Sequence, residues 1–458
     1  MRPSSSPSEP PAAGLFDAVL ARGPVPALVS DAAWLQAMLD AEAALARAEA
    51  AVGIFPAAYA EAIATACHAD RYDVTRLSAE AADSGNPVIP LVRALTALVQ
   101  AAAGDDAAGW VHFGATSQDV LDTATGIVAG HAGTAIVNDL RNAGDAAARL
   151  ARDHATTVMA GRTLLQQATP TTFGLAAATW LDGLDRATDD VWAAVSALPV
   201  QLGGATGTLA SLGPHGVAVL GEFARQLGLS EPVVAWHTSR VPVARFATAL
   251  GVASGAIAKV AGDVVHLAQT EIGEVSEGNP ARGGSSTMPH KRNPVAAVSA
   301  LAGARQAPGL VATLLASMEQ EHQRAAGAWH AEWQPLRSLL VSTGSAAAWL
   351  ADCLSDLQVD AARMGSNLGL TGGLVLGERI STALQPAVGR LEAHDLVAAA
   401  SRRAVEENIE LLDVLLATSE IRDHLKEDDL RRLMDPATYL GSAAVFVDRA
   451  VARHEALR

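Results

Sequence analysis

The stretch Phe246–Leu267, FATALGVASGAIAKVAGDVVHL, places apolar side chains at Phe246, Leu250, Ala253, Ile257, Val260, Val264 and Leu267. The steps alternate between four and three residues, the period that keeps one face of an α-helix continuously apolar. The spacing predicts a long helix packed on other long helices. Ala-rich helical patterns also cover Trp34 to Val52, Ala132 to His154, Phe173 to Leu198, Val295 to His322, Leu339 to Leu357 and Leu396 to Ala417. Alternating β-branched runs are nearly absent, so the expected class is all-α with one short hairpin in a loop. Breaks near Gly104 to Gly109 and Gly365 to Gly373 divide the chain into an N-terminal helical domain (1–110), a central long-helix bundle (111–362) and a C-terminal helical domain (363–458).

Composition limits what such a protein does. With 50% hydrophobic and 18% charged residues the chain buries a large core. A formal charge of -16 opposes binding to nucleic acid or to an anionic membrane surface, both of which need a basic face. An anionic small molecule must therefore meet locally placed cations. Lysine occurs only at Lys259, Lys291 and Lys426. Cys67 and Cys353 have neither metal-ligand nor disulfide spacing, which fits a reducing cytoplasm. The start, MRPSSSPSEPPAAG, lacks an apolar core and reads as a disordered lead-in rather than a signal peptide. The longest uncharged stretch, Val191 to Gly221, is interrupted by Pro199, Gly203, Gly204 and Pro214, so no membrane span is expected there.

Downstream of the heptad helix stands GGSSTMPHKRNPV, Gly283 to Val295, a hydroxyl-rich cationic loop. Asn293 and Pro294 read as the cap and first residue of the next helix. Backbone N–H groups at a helix start attract anions, and Lys291 and Arg292 add charge beside them. A carboxylate, or the enediolate formed by removing a proton beside one, would be stabilised there. Ser285 or Ser286 would then give or take the proton. The bland alternative is a linker followed by a cap.

The string SSTMPHKRN resembles the Ser-Ser-x-Met-Pro-x-Lys-x-Asn signature of the fumarase/aspartase superfamily. VHFGATSQDVLDTA, from Val111, and GRTLLQQATPTTFG, from Gly161, resemble its first and second regions, in the expected order. The resemblance runs from Asn86 to DPATYLG at Asp435. It implies a helical protein of three domains whose long helices assemble as a homotetramer, with each active site built from three chains. It implies a small polycarboxylate substrate and proton removal beside a carboxylate. The sequence has no HExxH, Cys-Cys pair, carboxylate-rich ligand loop, GxGxxG after a strand or Walker loop, so no metal or cofactor is expected. On the resemblance, Ser285 is the catalytic serine, Lys291 and Asn293 bind the carbanion, and Thr116 and Ser117 hold a carboxylate. His112, Gln166, Gln167, Ser286, Met288 and Arg292 become candidate substrate contacts. So do His237 and Arg240 in AWHTSR, where Thr238 or Ser239 offers the alternative of a plain helix cap.

The resemblance further implies that members differ in the leaving group and that the second region helps to choose it. Amine-releasing members resemble GRTHGQPATP, with a histidine for the departing nitrogen; Leu164 stands there and transfers no proton. The runs GNPVIPLVRALT, WHAEW and MDPATYLG resemble instead the branch whose members close a carboxylated muconate into a lactone. Some of that branch resemble GRTWLQHATP, with a histidine where this chain has Gln167. A lyase releasing nitrite or an amine from a succinate-like substrate, and a non-catalytic scaffold, are the alternatives.

Overall fold

The computed structural model describes residues 14–457. The lead-in, apart from Gly14, lies outside them. Helices dominate, and the few strands form two small antiparallel pairs. The heptad stripe is buried along its whole length within the helix Val241–Leu267, from Phe246 at 1% exposed to Leu267 at 7%.

The other expected helices form with instructive differences. Asp31–Val52 starts at Ser30, whose hydroxyl accepts from Ala33 N–H, and stops at Gly53 in the left-handed region. Ala132 to His154 is the second part of a longer helix, Ser117–Asp153, which begins inside the first motif. The expected run from Val295 to His322 is broken into Val295–Ala304 and Ala307–Ala316. Pro308 lacks an N–H, and its ring would strike the carbonyl four residues earlier. Leu396 to Ala417 likewise splits into Arg390–Glu407 and Leu411–Ala417, because Asn408 turns left-handed (φ 52).

The expected hairpin is β1, Val158–Thr163, paired antiparallel with β2, Gln166–Thr172. Leu164 and Leu165 form its two-residue turn at φ 51 and 65. Turns of this kind favour Asn-Gly, and each leucine held there is strained by roughly 1–2 kcal/mol. Both are exposed.

Two compact units divide the described chain. The first contains residues up to Arg141 with Arg186–Ala258 and Ser299–Trp349; the second contains Asn142–Asp185, Lys259–Val298 and residues from Leu350 onward. Within the second unit, Ile380, Leu384, Val397, Leu411, Leu415 and Leu430 form an apolar core. His454 of the last helix bonds Asp185 at 2.8 Å and Asp145 at 2.9 Å there.

Ser117–Asp153, Val241–Leu267 and, taken across its break, the stretch Val295–Ala316 are long and apolar enough to cross a membrane by length and composition. Burial of their most apolar windows is 67%, 50% and 39%, so the same apolarity serves helix packing and leaves apolar side chains such as Val252 and Val298 outside.

Candidate active site

The signature loop lies in the second unit and is closed at its base by Asn293. Its backbone N–H and its side-chain Nδ2 both donate to the Gly283 carbonyl, at 2.9 and 3.1 Å. Gly283 has φ 75, and a Cβ on it would lie 2.2 Å from the Asn293 carbonyl oxygen, so only glycine fits. Asn293 therefore does not cap the following helix through its side chain. The cap comes from Glu277 of the short strand Val275–Glu277, whose carboxylate accepts from Ala296 N–H at 3.1 Å and Ala297 N–H at 2.9 Å. The helix start expected to attract a substrate anion is thus filled by the chain's own carboxylate.

Above this closure Ser285 is half-buried, and its Oγ accepts from the N–H groups of Thr287 (3.3 Å) and Met288 (3.1 Å). Two aligned backbone donors stabilise negative charge on that oxygen, which eases loss of its proton. Ser286, Met288, Lys291 and Arg292 are exposed. Arg292 donates to the Pro280 carbonyl at 3.2 Å, whereas the Lys291 ammonium has no partner among the described residues.

The hairpin belongs to the same unit. Gln166 is exposed near its tip, while Gln167 Nε2 donates to the Asn367 carbonyl at 2.8 Å. Gln167 Oε1 is buried without a hydrogen bond among the described residues. Beneath them Arg162 forms a two-pronged pair with the fully buried Glu274 (2.6 and 2.9 Å), and Asn367 Nδ2 donates to Glu274 at 2.8 Å.

The first motif lies in the first unit. Asp119 Oδ2 accepts from Thr116 N–H at 2.9 Å, and the Asp119 N–H donates to the Thr116 carbonyl at 2.9 Å, at the start of Ser117–Asp153. The same carboxylate accepts from Gly203 and Gly204 N–H, each at 2.9 Å, and meets His237 Nε2 at 2.7 Å. Asp119 so fixes the turn while the Thr116 and Ser117 hydroxyls stay without partners among the described residues. His112 has φ 58 and its Nδ1 lies 2.6 Å from Glu42 Oε1.

His237 and Arg240, read from sequence as substrate contacts, are 4% and 2% exposed. The Arg240 guanidinium is held between Asp122 (2.8 and 3.0 Å) and Glu332 (2.7 Å) and lies over the Trp236 ring. Burial alone would lower the Arg240 pKa, but the two carboxylates hold it above its ordinary value. Glu332 is pushed up by burial, against the pull of Arg240. Trp329 Nε1 donates to Asp122 at 3.1 Å, and Arg324 donates to Gln118 at 3.2 Å. These two candidates thus sit behind the motif rather than in the open. Sequence reasoning missed Gln118, Asp119, Asp122 and Glu332. The available signal was the placing of ionisable groups on otherwise apolar helix faces, which only paired charges occupy.

An all-α chain with a serine-centred loop, a lysine and an asparagine at fixed spacing, and a capped Thr-Ser turn has the parts of a lyase that works beside carboxylates. The chain belongs to the lyase family of the fumarase/aspartase superfamily: residues 23–309 match the family described as Lyase, and residues 373–450 match Adenylosuccinate lyase C-terminus. It is 47% identical to 3-carboxy-cis,cis-muconate cycloisomerase of Pseudomonas aeruginosa, over 98% of both chains. It is 45% identical to nitrosuccinate lyase of Streptomyces davaonensis, over 96% of this chain and 94% of that one. The solved 3-carboxy-cis,cis-muconate lactonizing enzyme of Pseudomonas putida superposes with a TM-score of 0.90 at 42% identity, covering 96% of this chain and 99% of that one.

Proposed function

We propose that this protein is a 3-carboxy-cis,cis-muconate cycloisomerase, forming 4-carboxymuconolactone in aromatic-acid degradation. One carboxylate of the substrate adds its oxygen to a carbon of the conjugated diene, and the displaced electrons collect as an enediolate on another carboxylate. Ser285 then delivers its proton to the carbon beside that group, leaving an oxyanion that Thr287 and Met288 N–H groups stabilise until solvent reprotonates it. Lys291 and Asn293 complement the enediolate, Thr116 and Ser117 hold a carboxylate, and His112, Gln166, Gln167, Ser286, Met288 and Arg292 line the substrate. His237 and Arg240 support the Thr116 turn from behind.

The observation that carries this choice is Leu164, an apolar side chain 97% exposed where a proton-transferring group would serve an amine leaving group. An internal carboxylate leaves, or adds, without such a proton. Nitrite is an equally good leaving group, so the likeness to nitrosuccinate lyase keeps that second reading in view. Purified protein is given each substrate in turn. Loss of the diene absorbance with lactone as product supports the first reading; formation of fumarate and nitrite from nitrosuccinate, without lactone formation, replaces it with the second.

The chain is further read as three helical domains, 1–110, 111–362 and 363–458, in a cytoplasmic homotetramer whose sites draw on three chains. Ala193, Ala194, Ala197, Val241, Pro242 and Val252 line an open groove in the first unit that a neighbouring copy's helix would fill.

A further inference from the structure

On the helix Asp31–Val52 the buried stripe runs through Leu35, Leu39, Leu45 and Ala46, yet two glutamates, Glu42 and Glu49, lie in it, each 1% exposed. A carboxylate in such a place is destabilising unless something pairs with it. Glu42 has a partner: Oε1 is 2.6 Å from His112 Nδ1, across 70 residues of sequence. Its Oε2 has no hydrogen bond among the described residues, so the His112 ring is its sole hydrogen-bonding partner there. His112 is held in a left-handed backbone conformation four residues before Thr116, with its side chain 18% exposed and Nε2 unpartnered among the described residues.

We infer that Glu42 is a positioning residue: it fixes the His112 ring through Nδ1 and keeps it as an imidazolium whose Nε2–H donates to a carboxylate of the substrate. The inference rests on the reading of Thr116 and Ser117 as the carboxylate-binding turn. The charged groups acting on the ring are Glu42 and Asp119. Burial lowers the His112 pKa, but the charge and hydrogen bond of Glu42, with Asp119, more than offset it, so the net direction is upward. The sign follows: affinity for a polyanion is full while the ring is charged and falls as pH rises through that raised pKa.

Glu42→Gln keeps an acceptor for Nδ1–H and removes the charge. In the assembled enzyme, His112 is followed by NMR of 13Cε1-labelled histidine, assigned with His112→Asn, and substrate KM and kcat are measured against pH. The expected result is a His112 titration moved down by about one unit, and a KM about tenfold higher near neutrality with little change in kcat, as for loss of one charge-assisted hydrogen bond. Glu42→Asp restores part of both, and serves in its place should Glu42→Gln not fold. An unmoved titration overturns the inference whatever the substrate. A moved titration with KM unchanged overturns the positioning role. Failure of the wild-type protein to turn over carboxymuconate counts against the proposed function, while the NMR result still decides the Glu42–His112 pairing.

Discussion

Ser285 shows how one side chain acquires chemistry from its neighbours. A serine hydroxyl in water holds its proton too tightly to act as a strong acid, and the N–H groups of Thr287 and Met288 supply the stabilisation that solvent lacks. Ser285→Ala is expected to lower kcat by about 10²–10⁴-fold, the usual worth of a positioned proton donor, with KM and melting temperature little changed. A rate within twofold of wild type would remove the serine from the chemistry. Glu49 makes the opposite case. Burial, then the charge of Glu42, push its pKa up to about 9, so it folds as the neutral acid. Its contribution is intact below the ordinary carboxylate pKa and is lost as pH rises toward the folded value. Glu49→Gln should therefore stabilise the protein by up to about 3 kcal/mol at pH 7, with the gain vanishing near pH 4.5. Urea unfolding at the two pH values measures the difference, and a gain independent of pH would contradict the assignment.

At the scale of elements, the signature loop and the first motif are held by different means. The loop is closed by backbone geometry: Gly283→Ala would force a Cβ against the Asn293 carbonyl. Turnover should then fall severely while the global melting curve moves little, since the loop is largely exposed; an active Gly283→Ala enzyme would show that the closure is dispensable. The first motif is held by paired charges. Arg240→Ala leaves Asp122 and Glu332 buried together without a cation, which should destabilise the protein by about 3–5 kcal/mol. Denaturant unfolding tests this, and a loss below about 1 kcal/mol, the range of exposed pairs, would mean that the network is not closed to water. In sequence these elements were unequally legible. The helix start at Ser117 was hidden because TSQD looks like a binding motif, while its aspartate also accepts from the Thr116 N–H at the helix start. Glu277 was invisible as a cap because it lies 20 residues from Ala297, and no local pattern joins them.

For the whole molecule the expectation is a tetramer with shared sites. A single chain presents Val241 and Val252 outward on the helix whose other face is the buried heptad stripe. Val252→Glu should break assembly, and with it activity, while leaving the protomer helical by circular dichroism; light scattering reads the outcome. Sharing has its own signature. Ser285→Ala and Thr116→Val protomers, each inactive alone, should regain a measurable fraction of activity when unfolded and reassembled together. No regain in proven mixed tetramers would place the whole site in one chain.

What the sequence determined by itself was whatever repeats or lies close along the chain: the heptad stripe, the helical class, the hairpin, and the ordered Ser-Lys-Asn spacing of the loop. Those are local properties, since helix period and short-range turns depend on neighbouring residues. Tertiary structure alone decided which charges are buried and with whom. His237 meets Asp119 across 118 residues, Arg240 meets Glu332 across 92, and His112 meets Glu42 across 70. A histidine or arginine in a motif reads the same whether it faces a substrate or a buried carboxylate. Only the fold brings up the partner, and the partner determines whether burying the charge is tolerable.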